Sequence, residues 1–217
     1  MEKRFTVVLE KDNILRLVYA DVDPEKEIDF NQWYDTEHEP LLNQVEGVIK
    51  NYKAVNPSQE GQKYFYLYLH ENPDVQNCPQ YKAVSQTTWS KEIRPFVRNF
   101  KAESYKVLLG GTIPTELKMG NVIRAVYFDL KDVSDAAFND WYKNEYAPMA
   151  KKTEAIKSLW EAINLDETGP KYLLVYFLDS VDIQGKVDLD IIPPEKGGRS
   201  MLRCLSNIVE KNYELKI

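Results

Sequence analysis

The feature that most constrains this 217-residue chain is an internal repeat. Shifted along itself by 108 positions, it aligns without a gap from residues 13–70 onto 121–178, with 18 identities in those 58 positions. NILRLVYAD falls on NVIRAVYFD, FNQWYDTEHEP on FNDWYKNEYAP, and GQKYFYLYL on GPKYLLVYF. A self-similarity of this length means that one supersecondary unit has been written twice. The expected organisation is a first unit over 1–109, a linker over 110–120 and a second unit over 121–217. Gly110, Gly111 and Pro114 interrupt regular structure at the join.

Each copy reads as strand, helix, strand, strand, helix, strand. Ile14 to Val22 is apolar, partly β-branched and closed by Asp23-Pro24. Phe30, Trp33, Tyr34, Glu37, His38, Leu41 and Val45 recur at spacings of three and four, which predicts a helix over 27–45. Pro40 removes a backbone donor and predicts a kink or stop near Glu39. Val48 to Val55 is the second strand, and Tyr64 to His70 the third. In that third strand Tyr64, Tyr66 and Tyr68 alternate with Phe65, Leu67 and Leu69. A second helix over 79–99 and a strand over 104–108 complete the unit. In the second copy YKAVSQTTW falls on LDIIPPEKG, whose prolines cannot continue a helix, so a helix is expected only from about Arg199 to Glu210.

This order is the split βαβ, or ferredoxin-like, arrangement. Its sheet carries helices on one face and must bury the other. Two units in one chain meet that need by packing sheet on sheet. The expected fold is therefore α+β: two tandem ferredoxin-like units closing a single-chain barrel with a pseudo-twofold axis, an intramolecular pseudo-dimer. The tyrosine face of the third strand is expected at the sheet–sheet interface.

Composition narrows the function. The net charge of −6 offers no basic field for nucleic acid or an anionic membrane. No run approaches the roughly 20 apolar residues of a membrane span, and no signal peptide is read at the N-terminus. Two distant cysteines, Cys78 and Cys204, suit a reducing, cytoplasmic setting. Two histidines and two separated cysteines show no metal-ligand spacing. No phosphate loop is present, and neither Ser nor Cys stands in a nucleophile motif.

The phrase Phe30, Trp33, Tyr34, His38, Pro40 and Leu41 resembles the EthD-like branch of the dimeric α/β-barrel superfamily, in the tandem form found in uncharacterised fungal proteins. The resemblance covers nearly all of both copies. It implies a small hydrophobic or aromatic ligand. Relatives include decarboxylases and cyclases of aromatic polyketides, monooxygenases without cofactors, and haem-binding enzymes. The second copy departs from the motif where Tyr146 replaces the histidine. If the histidine carries chemistry, only the first copy is active.

His38 therefore has two readings, a hydrogen-bonded core residue or a general base titrating near neutrality. As a base it would work with Tyr34 and Glu37, while Phe30, Trp33, Leu41, Tyr64, Tyr66 and Tyr68 would contact substrate. Glu37 has a competing structural reading as a buried or capping carboxylate paired with Arg16, mirrored by Glu145 and Arg124. His70, at a strand end, is expected to be exposed. The cofactor expectation is none, with haem on His38 as the alternative. Three classes follow: a cofactor-independent enzyme working by proton transfer (decarboxylation or cyclisation), a binding protein or haem-linked oxygenase, and a structural or stress protein whose core is filled by aromatics. Whether a further homodimer forms stays open.

Overall fold

The computed structural model describes residues 7–58, 60–114, 116–180, 201 and 203–216. The eight strands are β1 (Ile14–Val22), β2 (Val48–Val55), β3 (Tyr64–His70), β4 (Val97–Leu109), β5 (Val122–Leu130), β6 (Ile156–Asn164), β7 (Tyr172–Leu178) and β8 (Leu205–Leu215). They close in the order β1-β3-β2-β8-β5-β7-β6-β4. Every pairing is antiparallel, and each half contributes a 4-1-3-2 sheet. Two seams join the halves. Ala54 pairs with Leu215 across β2–β8, and Tyr105 with Asn164 across β4–β6. The β2–β8 seam is short, two residue pairs, and the β4–β6 seam four.

Alternation sorts the side chains into three cores. Leu15, Leu17, Phe65, Leu67 and Leu69 point into the barrel with their second-copy counterparts Ile123, Ala125, Leu173, Val175 and Phe177. Leu67 is fully buried, a burial worth roughly 1.5–3 kcal/mol for one such side chain. The opposite face of each sheet lies under its own helices. Here the sequence expectation is overturned. Tyr64, Tyr66 and Tyr68 pack with Phe30, Trp33 and Tyr34 on the helix side, not at the sheet–sheet interface. Two of the three hydroxyls find polar partners on that side: Tyr64 meets Asn31 and Glu27, and Tyr68 meets Tyr34.

The first helix runs through Pro40 instead of ending before it. α1 (Glu27–Trp33) passes into a π turn, Tyr34–His38, and then into α2 (Glu39–Leu42). The Glu39 N–H donates to the Tyr34 carbonyl, five residues back. The wider turn shifts the hydrogen-bond register just ahead of the proline, whose missing donor and bulky ring would disrupt an i→i−4 ladder. α5 (Asp135–Trp141), a π turn at Tyr142–Tyr146 and α6 (Ala147–Ala150) repeat the device before Pro148.

The helix expected over 79–99 is shorter and broken. α3 (Pro79–Val84) and α4 (Thr88–Ile93) are separated by Thr87, whose hydroxyl caps α4 by accepting from the Ser90 N–H. Pro95 ends the helical run, and β4 already starts at Val97. In the second copy, residues 205–210, expected as helix, are strand. They pair with β5, Val209 opposite Tyr127 and Ser206 opposite Asp129, and this long-range pairing overrides local propensity. The prolines read as breaking that helix lie outside the described residues.

Candidate functional site

The π turn in the first copy carries Tyr34 and His38 toward the outer face of β3. Between them and the sheet lies a cavity of about 510 Å³. Phe30 and Trp33 from α1, Tyr34 and His38 from the π turn, and Tyr66 and Tyr68 from β3 line it. Val18, Ala20 and Arg16 of β1 form its floor, and Tyr81, Ser85, Ser90 and Arg94 close the side toward α3 and α4. Trp33 is fixed by donating its indole N–H to Ser90 Oγ at 3.2 Å.

His38 packs at a tilt against Trp33 at 4.5 Å and Tyr34 at 5.5 Å between ring centres. Its Nδ1 is buried with no hydrogen-bond partner. Burial disfavours the imidazolium and lowers its pKa from 6.5 to about 4. At neutral pH His38 is an uncharged base. The tyrosines beside it are pushed the other way. Burial holds Tyr34, Tyr66 and Tyr68 above the ordinary phenol range, reinforced by neighbouring tyrosines, Tyr68 and Tyr66 for Tyr34, Tyr68 and Tyr64 for Tyr66, and Tyr81 for Tyr68. They are neutral donors. Tyr34 donates to Tyr68 at 3.4 Å, whereas the Tyr66 hydroxyl is buried with no partner. One wall thus offers a neutral proton acceptor and an uncommitted phenol.

Three residues singled out from sequence lie elsewhere. Tyr64 does not line the cavity; its hydroxyl accepts from Asn31 at 2.7 Å and donates to Glu27 at 2.9 Å. Leu41 lines a separate hollow with Gln44, Val45 and Thr87. Glu37 also lies off the cavity. Its carboxylate accepts from Thr87 Oγ1 at 2.6 Å and so braces the N-terminus of α4. It is not the partner of Arg16, which donates through Nη1 to Gln76 Oε1 at 2.7 Å and Ser104 Oγ at 3.1 Å. Glu145 is exposed, and Arg124 bonds Asn212 at 3.1 Å. His70, expected to be exposed, is fully buried. It is stacked on Tyr68 and edge-on to Tyr81, with neither nitrogen hydrogen-bonded. A strand end was mistaken for a surface because α3 covers it.

Arg16, Ala20, Tyr81, Ser85, Ser90 and Arg94 were not read as site residues. One signal for Ala20 was available: its counterpart in the second copy is Phe128.

Haem does not suit His38. A histidine that ligates a metal through one nitrogen ordinarily donates the other N–H to a fixed acceptor, and here Nδ1 is buried without one. Among the described residues, no group of three or more His, Cys, Asp or Glu side chains could hold a metal ion. Nor is any helix among them long and apolar enough to cross a membrane.

No protein-family model matches the chain, and no curated protein matches its sequence. Solved structures do. A protein of Fusobacterium nucleatum assigned as a monooxygenase superposes with a TM-score of 0.68 at 12% identity, over 95% of this chain and 92% of that one. An anthrone oxidase-like protein superposes at 0.62 with 10% identity, over 97% and 95%. A chlorite dismutase of Candidatus Nitrospira defluvii superposes at 0.64 with 7% identity, over 96% and 92%. The fold is that of the ferredoxin-like dimeric α/β barrels. At these identities the likeness establishes the fold and leaves the chemistry to the site.

Proposed function

We propose that the chain is an enzyme of the EthD-like kind that acts without a cofactor on a small aromatic or polyketide-like molecule. His38 is its general base. The observation that carries this is the pairing, in one aromatic cavity, of a desolvated imidazole with an unpartnered phenol, Tyr66. The cavity wall supplies stacking surface from Trp33 and Phe30 for a flat ring. His38 removes a proton from an acidic C–H or phenol. Tyr66 and Tyr68 donate to the oxygen on which negative charge develops, a stabilisation worth most where water is excluded. Such an enolate is the shared intermediate of decarboxylation, of cyclisation and of attack on dioxygen. The structural likeness to an anthrone oxidase-like protein and to a protein assigned as a monooxygenase favours the last of these.

The proton-transfer step can be tested before the final reaction is known. An anthrone or an aryl β-diketone in D2O should exchange its acidic C–H faster with the protein than without it, followed by NMR. His38→Gln should abolish that acceleration and leave the thermal midpoint nearly unchanged. The rate should rise with pH through about 4, the pKa that burial gives His38, and be level by neutrality. A rise centred near pH 6.5 or above, or an unchanged rate in His38→Gln, contradicts the assignment.

A further inference from the structure

The cavity has a charge imbalance that an uncharged aromatic ligand leaves unanswered. Arg16 and Arg94 line it, and none of its described lining residues is acidic. Arg16 is half-buried on β1, directly opposite Tyr68 of β3 and Ser104 of β4. Its two side-chain hydrogen bonds go to neutral acceptors, Gln76 and Ser104, and both leave from Nη1. The Nε–Nη2 edge, the side of a guanidinium that holds a carboxylate with two parallel bonds, makes no hydrogen bond to any described residue. A partly buried cation with neutral partners is costly unless an anion completes it.

We infer that this cavity takes an aromatic carboxylate, with the carboxylate on the free edge of Arg16 and the ring between Trp33 and Val18. The inference rests on reading the cavity as the substrate site and adds the charge of what enters it. Strand register sets the geometry. Arg16 pairs with Tyr68 and Val18 with Tyr66, so the anion site lies one step along the strands from the unpartnered Tyr66 hydroxyl. A ligand anchored at Arg16 presents its far substituent to Tyr66 and His38. An ion-paired carboxylate is stabilised where it sits and is a poor source of carbon dioxide. The carboxylate is therefore the handle, and the proton leaves from another part of the molecule. The second copy supports the assignment by contrast, since Arg124 is buried and spends its Nε on Asn212.

The test is calorimetric titration of the full chain with a naphthalene carboxylate and with its neutral carboxamide. The carboxylate should bind roughly ten- to hundred-fold more tightly, the range of a charged hydrogen-bonded pair. Arg16→Met should erase that preference. Gln76→Glu, which keeps Arg16 but gives it an internal carboxylate, should weaken the carboxylate by about ten-fold and leave the carboxamide unaffected, so a misfolded Arg16→Met does not decide the matter. Equal affinity for acid and amide, or a preference that survives both substitutions, overturns the inference. His38→Gln separates the two readings. A carboxylate preference that persists in a protein that never accelerates proton exchange keeps the anion site and removes the base.

Discussion

The two halves share 18 of 58 aligned residues and a single barrel, yet they fill the space between sheet and first helix with different side chains. Two positions account for the difference. His38 and Ala20 in the first copy become Tyr146 and Phe128 in the second. Tyr146 is buried and hydrogen-bonded to the Tyr176 hydroxyl at 2.9 Å. Phe128 stacks on Tyr172 and tilts onto Phe138, both at 5.4 Å. Each exchange puts a larger ring into space the first copy leaves open. Charge is exchanged as well. Lys53 pairs with Asp35 at 2.6 Å, and its counterparts are Glu161 and Lys143. Glu161 is buried, its Oε1 has no partner, and burial pushes its pKa up to about 8. At these positions the first copy leaves room and pairs its charges, and the second fills the room with rings and buries a carboxylate.

The largest expected effect comes from making the first copy like the second. Ala20→Phe should lower aromatic ligand affinity by at least about a hundred-fold, because the ring occupies the cavity floor. The thermal midpoint should move little, since the fold accommodates Phe128 at the equivalent site. Tight binding in Ala20→Phe, measured by titration, would show that ligands bind elsewhere.

Next is Glu161. Its folded pKa is raised, so its contribution to stability is greatest below the unfolded value of 4.5 and is lost as pH climbs toward 8. Glu161→Gln should therefore match wild type at pH 4 and exceed it at pH 9 by up to about 5 kcal/mol. Chemical denaturation at the two pH values checks this. A constant difference would mean that Glu161 acts through packing, not ionisation.

The histidines work in the opposite direction. Burial lowers both His38 and His70 to about 4, so their neutral forms stabilise the fold above pH 6.5 and that stability drains away as pH falls toward 4. Each accounts for up to about 3 kcal/mol. The second copy has Leu178 at the position of His70. His70→Leu should accordingly flatten the acid limb of a stability-against-pH curve and be neutral or stabilising at pH 7, because it removes two unpaired buried nitrogens. An unchanged acid limb would place the titration elsewhere.

Much of this architecture was legible from residue order alone. The repeat, the bounds of β1, β2 and β3 and the barrel follow from period-two patterning and from the need to bury the bare face of each sheet. What was not legible shares one cause: dependence on a neighbour distant in sequence. Alternation in Tyr64 to His70 defines two faces but not which one meets the helices. Residues 205–210 carry only Ile208-Val209 as a strand signal and are extended because β5 offers them an edge. Glu37 and Arg16 persist together in both copies and so suggested a pair, but β1 puts Arg16 beside Ser104 while the helix carries Glu37 to Thr87. The Ala20–Phe128 contrast was present in the aligned repeat. Its meaning needed the knowledge that both positions face the helix side of their sheets.

The smallest expected effect is the most direct check on the asymmetry. Tyr146→His restores the histidine to the second copy and leaves Phe128 in place. It removes the hydrogen bond to Tyr176 and some ring packing, which should cost about 1–2 kcal/mol of stability. It should not create a second binding site, because Phe128 still covers the floor and Leu174 stands where the first copy has the unpartnered Tyr66 hydroxyl. Titration of this variant with the naphthalene carboxylate should give one site per chain, as in wild type. Two equal sites would mean that the histidine alone distinguishes the halves. Adding Phe128→Ala then measures what the ring contributes. If space sets the difference, a weak second site should emerge only in the double variant. If charge at Arg16 sets it, none should emerge, because Arg124 is already engaged with Asn212.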